Sequence, residues 1–272
     1  MILESYMHSD NSFLTLTYDD EHLPPDGSVN PQTLQLFLKR LRQAISPVKI
    51  RFYAVGEYGD KLMRPHYHIA LFGYSFPDRV LHGMSKGRPL FRSLLLEKCW
   101  TYGFASIGEL TAESAQYVGG YVVKKMTKFD DKRLEGRHPE FSRMSLKPGI
   151  GAPALEKILD IMTSPQGACL LRHGDVPYVL RHGSKILPLG RYMRSKLREM
   201  YGFSDEHLQK LKQAKKQELL DVLDDYFTNS ETVETDKIGG NLLNLSPIEY
   251  SWRNSQRELN LEQRIKREIR TI

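Results

Sequence analysis

Residues 64–73 have the sequence Arg64-Pro65-His66-Tyr67-His68-Ile69-Ala70-Leu71-Phe72-Gly73. Apolar residues alternate with the two histidines, which predicts a β-strand, and residues i and i+2 of a strand point to the same face of a sheet. His66 and His68 are therefore expected side by side on one face. The opposite face, which carries Tyr67, Ile69 and Leu71, is expected to pack against the core.

A third metal ligand is available just upstream, in the stretch Arg51-Phe52-Tyr53-Ala54-Val55-Gly56-Glu57, which also has the pattern of a strand. Residues 58–61 can turn this strand back to pair antiparallel with the histidine strand, and Glu57 would then lie near both histidines. Two His and one carboxylate suit a divalent cation with open positions for water or substrate. These ligands alone do not name the metal.

A second informative stretch is residues 111–126, Thr111-Ala112-Glu113-Ser114-Ala115-Gln116-Tyr117-Val118-Gly119-Gly120-Tyr121-Val122-Val123-Lys124-Lys125-Met126. At helical spacing, one side of this stretch carries Ala115, Val118, Val122 and Met126, and the other carries Tyr117, Tyr121, Lys124 and Lys128. Tyrosines of amphipathic helices usually pack in the core, but here the apolar stripe lies opposite to them. The pattern predicts a helix with two phenols and two ammonium groups on one face.

The two stretches together indicate phosphoryl-transfer chemistry. A tyrosine hydroxyl is a poor nucleophile near neutral pH because its unperturbed pKa is about 10. A divalent cation at the three predicted ligands would offset the charge of a phosphodiester, and a lysine would favour the phenolate. Lys124 shares the tyrosine face, and Lys125 is the adjacent alternative. Attack by Tyr117 or Tyr121 would conserve the phosphoester in a protein–DNA bond that a free 3′-hydroxyl can later rejoin.

These motifs resemble those of a known family. His66-Tyr67-His68 is similar to the His-hydrophobic-His motif of HUH endonucleases. Residues 117–125 resemble the paired-tyrosine helix of the rolling-circle replication initiators of small single-stranded-DNA phages. Phe13-Leu14-Thr15-Leu16-Thr17-Tyr18 resembles their first strand motif, and Pro24-Pro25 follows it as it often does in the gokushovirus branch of the Microviridae.

The resemblance implies Mg²⁺ or Mn²⁺ at the histidines and covalent 5′-phosphotyrosine chemistry at Tyr117 and Tyr121. The chain would be a metal-dependent, site-specific DNA endonuclease and strand transferase that nicks and rejoins single strands at a viral origin. Its expected partners are single-stranded DNA at the phage origin and the host's replication helicase and polymerase, in the bacterial cytoplasm. Relatives often carry a Cys-containing segment before the first strand motif, and only twelve residues precede Phe13, so a shortened start is expected.

The expected fold class is α+β. The pattern predicts strands at 13–18, 50–57, 66–72 and 103–109, and helices at 31–44, 89–99 and 111–126. This order matches a ferredoxin-like or RRM-like antiparallel sheet with an extra helix. We expect an HUH endonuclease domain over residues 1–130. An accessory segment with a small β-ribbon and a helix should follow over 131–202, and a mainly helical, partly flexible basic extension over 203–272.

Beyond the tyrosine helix the patterns are weaker. The charged residues 128–143 predict a loop, helices are expected at 152–162, 189–200, 205–227 and 255–269, and residues 228–244 have the composition of a linker. Leu171-Arg172-His173-Gly174-Asp175 is echoed by Leu180-Arg181-His182-Gly183-Ser184. We interpret the echo as two turns of a small β-ribbon rather than as a second pair of metal ligands.

Composition narrows the function classes. The chain has 272 residues, a hydrophobic content of 40%, a formal net charge of +6 and a pI of about 9.1, which is compatible with a phosphate-backbone partner. The two cysteines provide no disulfide framework and suit a reducing cytoplasm. No apolar run reaches membrane-spanning length, so no membrane partner is expected.

Three other classes share part of the pattern. A non-haem iron oxygenase could use two His and one carboxylate, but it would leave the paired tyrosines unexplained. A non-catalytic RRM-like protein would bind nucleic acid on exposed sheet aromatics and need no metal. Within the HUH class, relaxases usually have a third histidine and an early tyrosine, and single-tyrosine transposases lack the paired phenols. A replication initiator fits best.

Overall fold

The structure is a computed structural model. It describes residues 1–60, 62–85, 87–124, 128–165, 167, 171, 174–183 and 185–230, and for residues 121–124, 215, 216, 218, 219 and 222–230 it describes the backbone only. The chain divides into two compact units, one of residues 1–205 and one that begins at Glu206.

A seven-stranded antiparallel sheet dominates the first unit. Its strands are β1 (Asn11–Tyr18), β2 (Arg51–Tyr58), β3 (Pro65–Phe72), β4 (Val80–Ser85), β5 (Arg88–Arg92), β6 (Gly103–Gly108) and β7 (Phe141–Met144). Their spatial order is β4-β5-β6-β1-β3-β2-β7. The helices that accompany this sheet are α1 (Ile2–Ser5), α2 (Pro31–Ala44), α3 (Leu94–Cys99) and α4 (Ala112–Lys124).

The remaining elements follow the sheet in the chain. They are α5 (Leu155–Thr163), the two-stranded ribbon β8 (Val179–His182) and β9 (Lys185–Pro188), α6 (Arg191–Tyr201) and α7 (Asp205–Ser230). The α+β class and the antiparallel sheet are therefore as predicted. None of the helices that the structure describes is long and apolar enough to span a bilayer.

One face of the sheet carries the main hydrophobic core. Helix α2 starts after Asn30, whose side chain accepts a hydrogen bond from the backbone N–H of Gln32, and Pro31 occupies its first turn. The core combines α2 residues Leu34, Phe37, Leu38 and Leu41 with sheet residues that include Leu14, Leu16, Tyr67, Ile69 and Leu71. The predicted core face of the histidine strand is confirmed, which leaves the opposite face of the sheet for polar residues.

The helix predicted at 89–99 is wrong in its first half. Residues 88–92 form β5, which pairs with β4 in a hairpin at the sheet edge. The helix begins only at Leu94, because the Ser93 side chain accepts a hydrogen bond from the N–H of Leu96 at 3.1 Å and so caps the first turn.

The loop predicted at 128–143 is also wrong at its end, where β7 adds a seventh strand beside β2. Phe141 pairs with Gly56 across the two strands. A Cβ atom at Gly56 would lie only 2.7 Å from the Phe141 ring, so the bare backbone of Gly56 is what admits that ring. This pairing joins residues far apart in the sequence.

A second, smaller core lies among α5, α6 and the ribbon. Its buried residues are Leu155, Ile158, Met162, Val176, Leu189, Met193 and Leu197. Residues 180–183 belong to the predicted ribbon, whose strands β8 and β9 pair antiparallel. The earlier segment ends differently, because Asp175 is buried and accepts hydrogen bonds from Arg194 and Arg198. Helices are confirmed near the predicted positions 152–162, 189–200 and 205–227.

The structure describes α7 as far as Ser230. The predicted linker beyond that residue and the predicted helix at 255–269 lie outside the described residues.

Glu4 fastens α1 to the rest of the first unit. Its fully buried carboxylate accepts hydrogen bonds from Arg51 Nε and from the backbone N–H of Gly151, each at 2.5 Å. Burial alone would raise the pKa of Glu4, but the hydrogen bonds from Gly151, Arg51 and His8 outweigh it, and the net pKa lies below the usual value.

We expect Glu4→Gln to lower the free energy of unfolding by about 2 kcal/mol or more, since Gln removes the charge that Arg51 pairs with. Because the folded-state pKa is depressed, this contribution is present above the unfolded-state pKa and is lost as the pH falls through the folded-state pKa. Urea denaturation at neutral and acidic pH should show the gap between wild type and Glu4→Gln closing in acid. Glu156→Gln, at an exposed position on α5, is the matched control; equal stability of wild type and Glu4→Gln at neutral pH would contradict the role of Glu4.

Candidate active site

The predicted metal ligands lie on the paired strands β2 and β3. The register places Glu57 directly opposite His66, and the turn between the strands is closed by a 3.0 Å hydrogen bond from the N–H of Gly59 to the carbonyl of Arg64. The antiparallel pairing that the sequence predicts is confirmed. It is this register that brings a carboxylate to the histidine face.

The three side chains form one compact cluster. Glu57 Oε1 lies 2.8 Å from His66 Nε2 and 3.1 Å from His68 Nε2. One ligand atom from each residue lies within 4.8 Å of the other two, and among the described residues this is the group of His, Cys, Asp and Glu side chains that could hold a metal ion. Glu57 and His68 are buried, and His66 is partly exposed.

The hydrogen bonds of His66 show that the cluster suits a cation. His66 Nδ1 lies 3.1 Å from the carbonyl oxygen of Arg64, which can only accept, so Nδ1 carries the hydrogen. A neutral His66 then turns the lone pair of Nε2 toward Glu57 Oε1, and two acceptors face each other at 2.8 Å. A proton or a cation between them makes this arrangement favourable. The donor set of two nitrogens and one oxygen fits a divalent cation.

The charge of Glu57 supports the same conclusion. Burial would raise the pKa of this carboxyl group, but hydrogen bonds from His66 and His68 and their charges outweigh burial and hold the pKa below its usual value. Glu57 is therefore an anion at neutral pH. A buried carboxylate between two imidazoles is the charge that a cation site requires.

Two residues of β1 complete the surroundings of His68, and the sequence patterns gave neither of them a role at the site. Thr15 pairs with His68 across the sheet, and its hydroxyl lies 3.0 Å from His68 Nδ1. The Phe13 ring stacks on the His68 ring with centroids 5.5 Å apart. Such contacts fix the orientation of a metal-binding imidazole and leave Nε2 for the ion. The alternation of β1 could have indicated that Phe13 and Thr15 share a face, but not that this face meets His68.

Helix α4 brings a phenol to the cluster. Ala115 and Val118 are buried, as the predicted apolar stripe requires, and α4 packs against β2 and β3. On the other side Tyr117 is 43% exposed, and its ring meets the His68 ring edge-on with centroids 5.4 Å apart. The structure thus places one predicted tyrosine beside the predicted metal ligands.

The other predicted residues of this helix are placed by their backbone only. Tyr121 follows Tyr117 by one helical turn, and Lys124 is the last residue of α4. Their side chains lie outside the described part of the structure, as does the whole of Lys125. The roles of Tyr121 and Lys124 stay predictions.

Comparison with known proteins gives a consistent result. Residues 11–130 match a family described as replication-associated protein of the ORF2 type. The chain is 34% identical over 180 residues to replication-associated protein VP4 of Bdellovibrio phage phiMH2K, which covers 63% of this chain and 56% of the relative. It is 40% identical over 149 residues to replication-associated protein ORF2 of Spiroplasma virus 4, which covers 52% of this chain and 46% of the relative.

A third relative is replication-associated protein ORF4 of Chlamydia phage 1, which is 36% identical over 131 residues, or 45% of this chain and 33% of the relative. The chain therefore spans about half the length, or less, of the curated relatives it matches. No solved structure matches it significantly.

Proposed function

The resemblance to Microviridae-type phage replication proteins is confirmed by these matches, and from it we propose that this chain is a rolling-circle replication initiator with HUH endonuclease activity. It would nick a single strand at the viral origin, hold the cut end on a tyrosine and rejoin the displaced strand. The observation that carries this proposal is the contact of the Tyr117 ring with His68, a member of the cluster that could bind a metal.

In this proposal Glu57, His66 and His68 would hold Mg²⁺ or Mn²⁺. When bound, the ion would polarise the non-bridging oxygens of the phosphodiester and offset their charge. Thr15 holds the His68 ring through Nδ1, so that Nε2 stays directed at Glu57. The protein's contribution is a set of ligands already assembled on a rigid sheet.

Tyr117 would supply the nucleophile. Its phenolic oxygen forms a bond to phosphorus, the bond from phosphorus to the 3′-oxygen of the preceding nucleotide breaks, and that oxygen takes up a proton to become a 3′-hydroxyl. The phenolic proton passes to solvent, and the charge of Lys124 favours the phenolate. The product is a 5′-phosphotyrosyl bond, so the phosphoester is conserved and rejoining needs no ATP.

Tyr121 would perform a second transfer of the same kind. One tyrosine can hold the first 5′ end while the other attacks the newly copied origin. Single-stranded DNA at the phage origin is then the substrate, and the host's replication helicase and polymerase in the bacterial cytoplasm are the partners that such a cycle requires.

The decisive experiment is a search for the covalent adduct. The protein should be incubated with Mn²⁺ and circular single-stranded DNA, and the products separated under denaturing conditions. We expect DNA that remains attached to the protein and no adduct in EDTA. Cleaved DNA without an adduct would indicate a hydrolytic nuclease, and DNA that is bound but never cut would indicate a non-catalytic binder.

Binding of single-stranded DNA should depend on salt, because the chain carries a net charge of +6 and Lys and Arg contacts release counterions from phosphates. With about four phosphate contacts, affinity should fall roughly fifty-fold between about 50 and 200 mM salt. Fluorescence anisotropy of a labelled oligonucleotide, measured in EDTA to prevent cleavage, gives the slope. A flat dependence would show that basic residues do not form the docking surface.

A further inference from the structure

The sheet face that carries the histidines continues past the strands that α4 covers. Helix α4 packs against β2 and β3, whereas the next strands on this face are β1 and β6. Thr17 pairs with His66 on one side and with Phe104 on the other. Phe104 therefore lies two strand spacings, about 10 Å, from the candidate metal ligand His66.

A pocket of about 500 Å³ opens on this part of the face. Its wall includes Thr15, Thr17, Asp19, Arg92, Glu97 and Phe104. Thr15 belongs to both places, because its hydroxyl contacts His68 and the same residue lines the pocket. A DNA strand whose phosphate sits at the histidine cluster therefore passes the mouth of this pocket.

The chemistry of the wall suits a nucleobase. Phe104 is 71% exposed, which is costly for a large aromatic side chain but gives a base a ring to stack on. Arg92 donates from Nε to Glu97 Oε1 at 2.6 Å. That bond holds the guanidinium, and among described residues it is the hydrogen bond that Arg92 makes, so both terminal nitrogens remain available. The volume is in the range of small-ligand sites.

The charges of the wall favour a base over a phosphate. Asp19 and Glu97 place two carboxyl groups in the pocket beside Arg92, and the pKa of Asp19 is lowered, chiefly by its hydrogen bond with the His22 side chain. Carboxylates repel a phosphate but accept hydrogen bonds from the N–H groups of a base. An arginine fork donates best to the O6 and N7 atoms of guanine.

We propose that this pocket binds a guanine next to the scissile phosphate, with Phe104 stacking on the base and Arg92 donating to its edge. The proposal rests on the function proposed above and adds the residues that would select the origin sequence. Phe104 and Arg92 act in recognition and make no contact with the reacting atoms.

The test separates recognition from cleavage. The Tyr117→Phe/Tyr121→Phe double variant, which should bind but not link DNA, is used to select oligonucleotides from a randomised single-stranded pool in Mn²⁺. Wild-type protein is used to map the nick in the selected sequences. We expect guanine to be enriched at one position next to the nick, and we expect Arg92→Ala in the double-variant background to remove that preference at this position alone.

Two further variants sharpen the result. Arg92→Lys keeps the charge but not the fork, so it should lose guanine preference while retaining most of the affinity. Phe104→Ala should weaken binding of the selected oligonucleotide roughly ten-fold. Leu36→Ala and Lys39→Ala, at exposed positions of α2 on the opposite side of the sheet, are the matched controls and should change neither quantity.

The outcomes distinguish this proposal from the previous one. If covalent adducts form but Arg92→Ala selects the same sequences as its parent, or another base is enriched, the guanine pocket is wrong and the nuclease stands. If no adduct forms in any condition but guanine preference still depends on Arg92, the pocket stands and the nuclease is wrong. Thermal melting of each variant, expected to be unchanged for these exposed side chains, excludes unfolding as the cause.

Discussion

His68→Ala is expected to reduce nicking of an origin oligonucleotide by at least about a thousand-fold, because it removes one of the three assembled ligands and several kcal/mol of charge stabilisation with it. His66→Ala should behave alike, and EDTA should reproduce the loss in wild-type protein. The fold should survive, since the histidines lie on the sheet face opposite the main core. Initial nicking rates and thermal melting curves measure the two effects separately.

The matched control is His182→Ala. This histidine lies in β8, within the segment whose echo of residues 171–175 could suggest another metal pair. Its substitution should leave nicking unchanged. Full activity of wild-type protein in EDTA would remove the metal from the mechanism, and full activity of Glu57→Gln would remove Glu57 from the site.

The cluster could be predicted from sequence because it depends on short-range geometry. The spacing of His66 and His68 fixes their common face once the segment is a strand. Glu57 joins them because a short turn connects two consecutive strands, and only one pairing of a hairpin is compatible with both apolar patterns. Local rules were sufficient for these three residues.

Residues that depend on distant pairings were not predictable in the same way. Thr15 reaches His68 because β1 pairs with β3 across more than fifty positions of sequence. The approach of Tyr117 to His68 depends on how α4 packs on the sheet, and the helical pattern alone indicated only that Tyr117 faces away from the apolar stripe. The resemblance to phage replication proteins supplied that connection.

The two incorrect elements have a common cause. The pattern favours a helix over residues 88–92 because their apolar residues continue into the helical pattern of α3, while the Ser93 cap that separates the two lies inside the predicted segment. Residues 141–144 become a strand because β2 offers an edge and Gly56 offers room for the Phe141 ring. In both cases tertiary pairing outweighed weak local preference.

Tyr117 and Tyr121 are both expected to form a 5′-phosphotyrosyl bond, since residues i and i+4 of a helix hold their Cβ atoms about 5 to 6 Å apart and a small shift brings either phenol to one phosphate. Each single Tyr→Phe variant should retain nicking of a short oligonucleotide within about ten-fold, because the other phenol can replace it. Each should fail to cut and rejoin a full circle. The double variant should lose the adduct by at least about a thousand-fold, since no nucleophile remains.

Mass spectrometry of the DNA-linked peptide decides between two nucleophiles and one. Tyr201→Phe, which removes an exposed phenol from α6, is the matched control and should leave both nicking and circle formation unchanged. If each tyrosine acts, the adduct should move to Tyr121 in Tyr117→Phe and to Tyr117 in Tyr121→Phe. An adduct confined to Tyr117 in the wild type and in Tyr121→Phe, together with normal circle formation by Tyr121→Phe, would show that the phenol beside His68 does all the chemistry. The second tyrosine would then be a spectator, and strand rejoining would need a nucleophile from another copy of the protein.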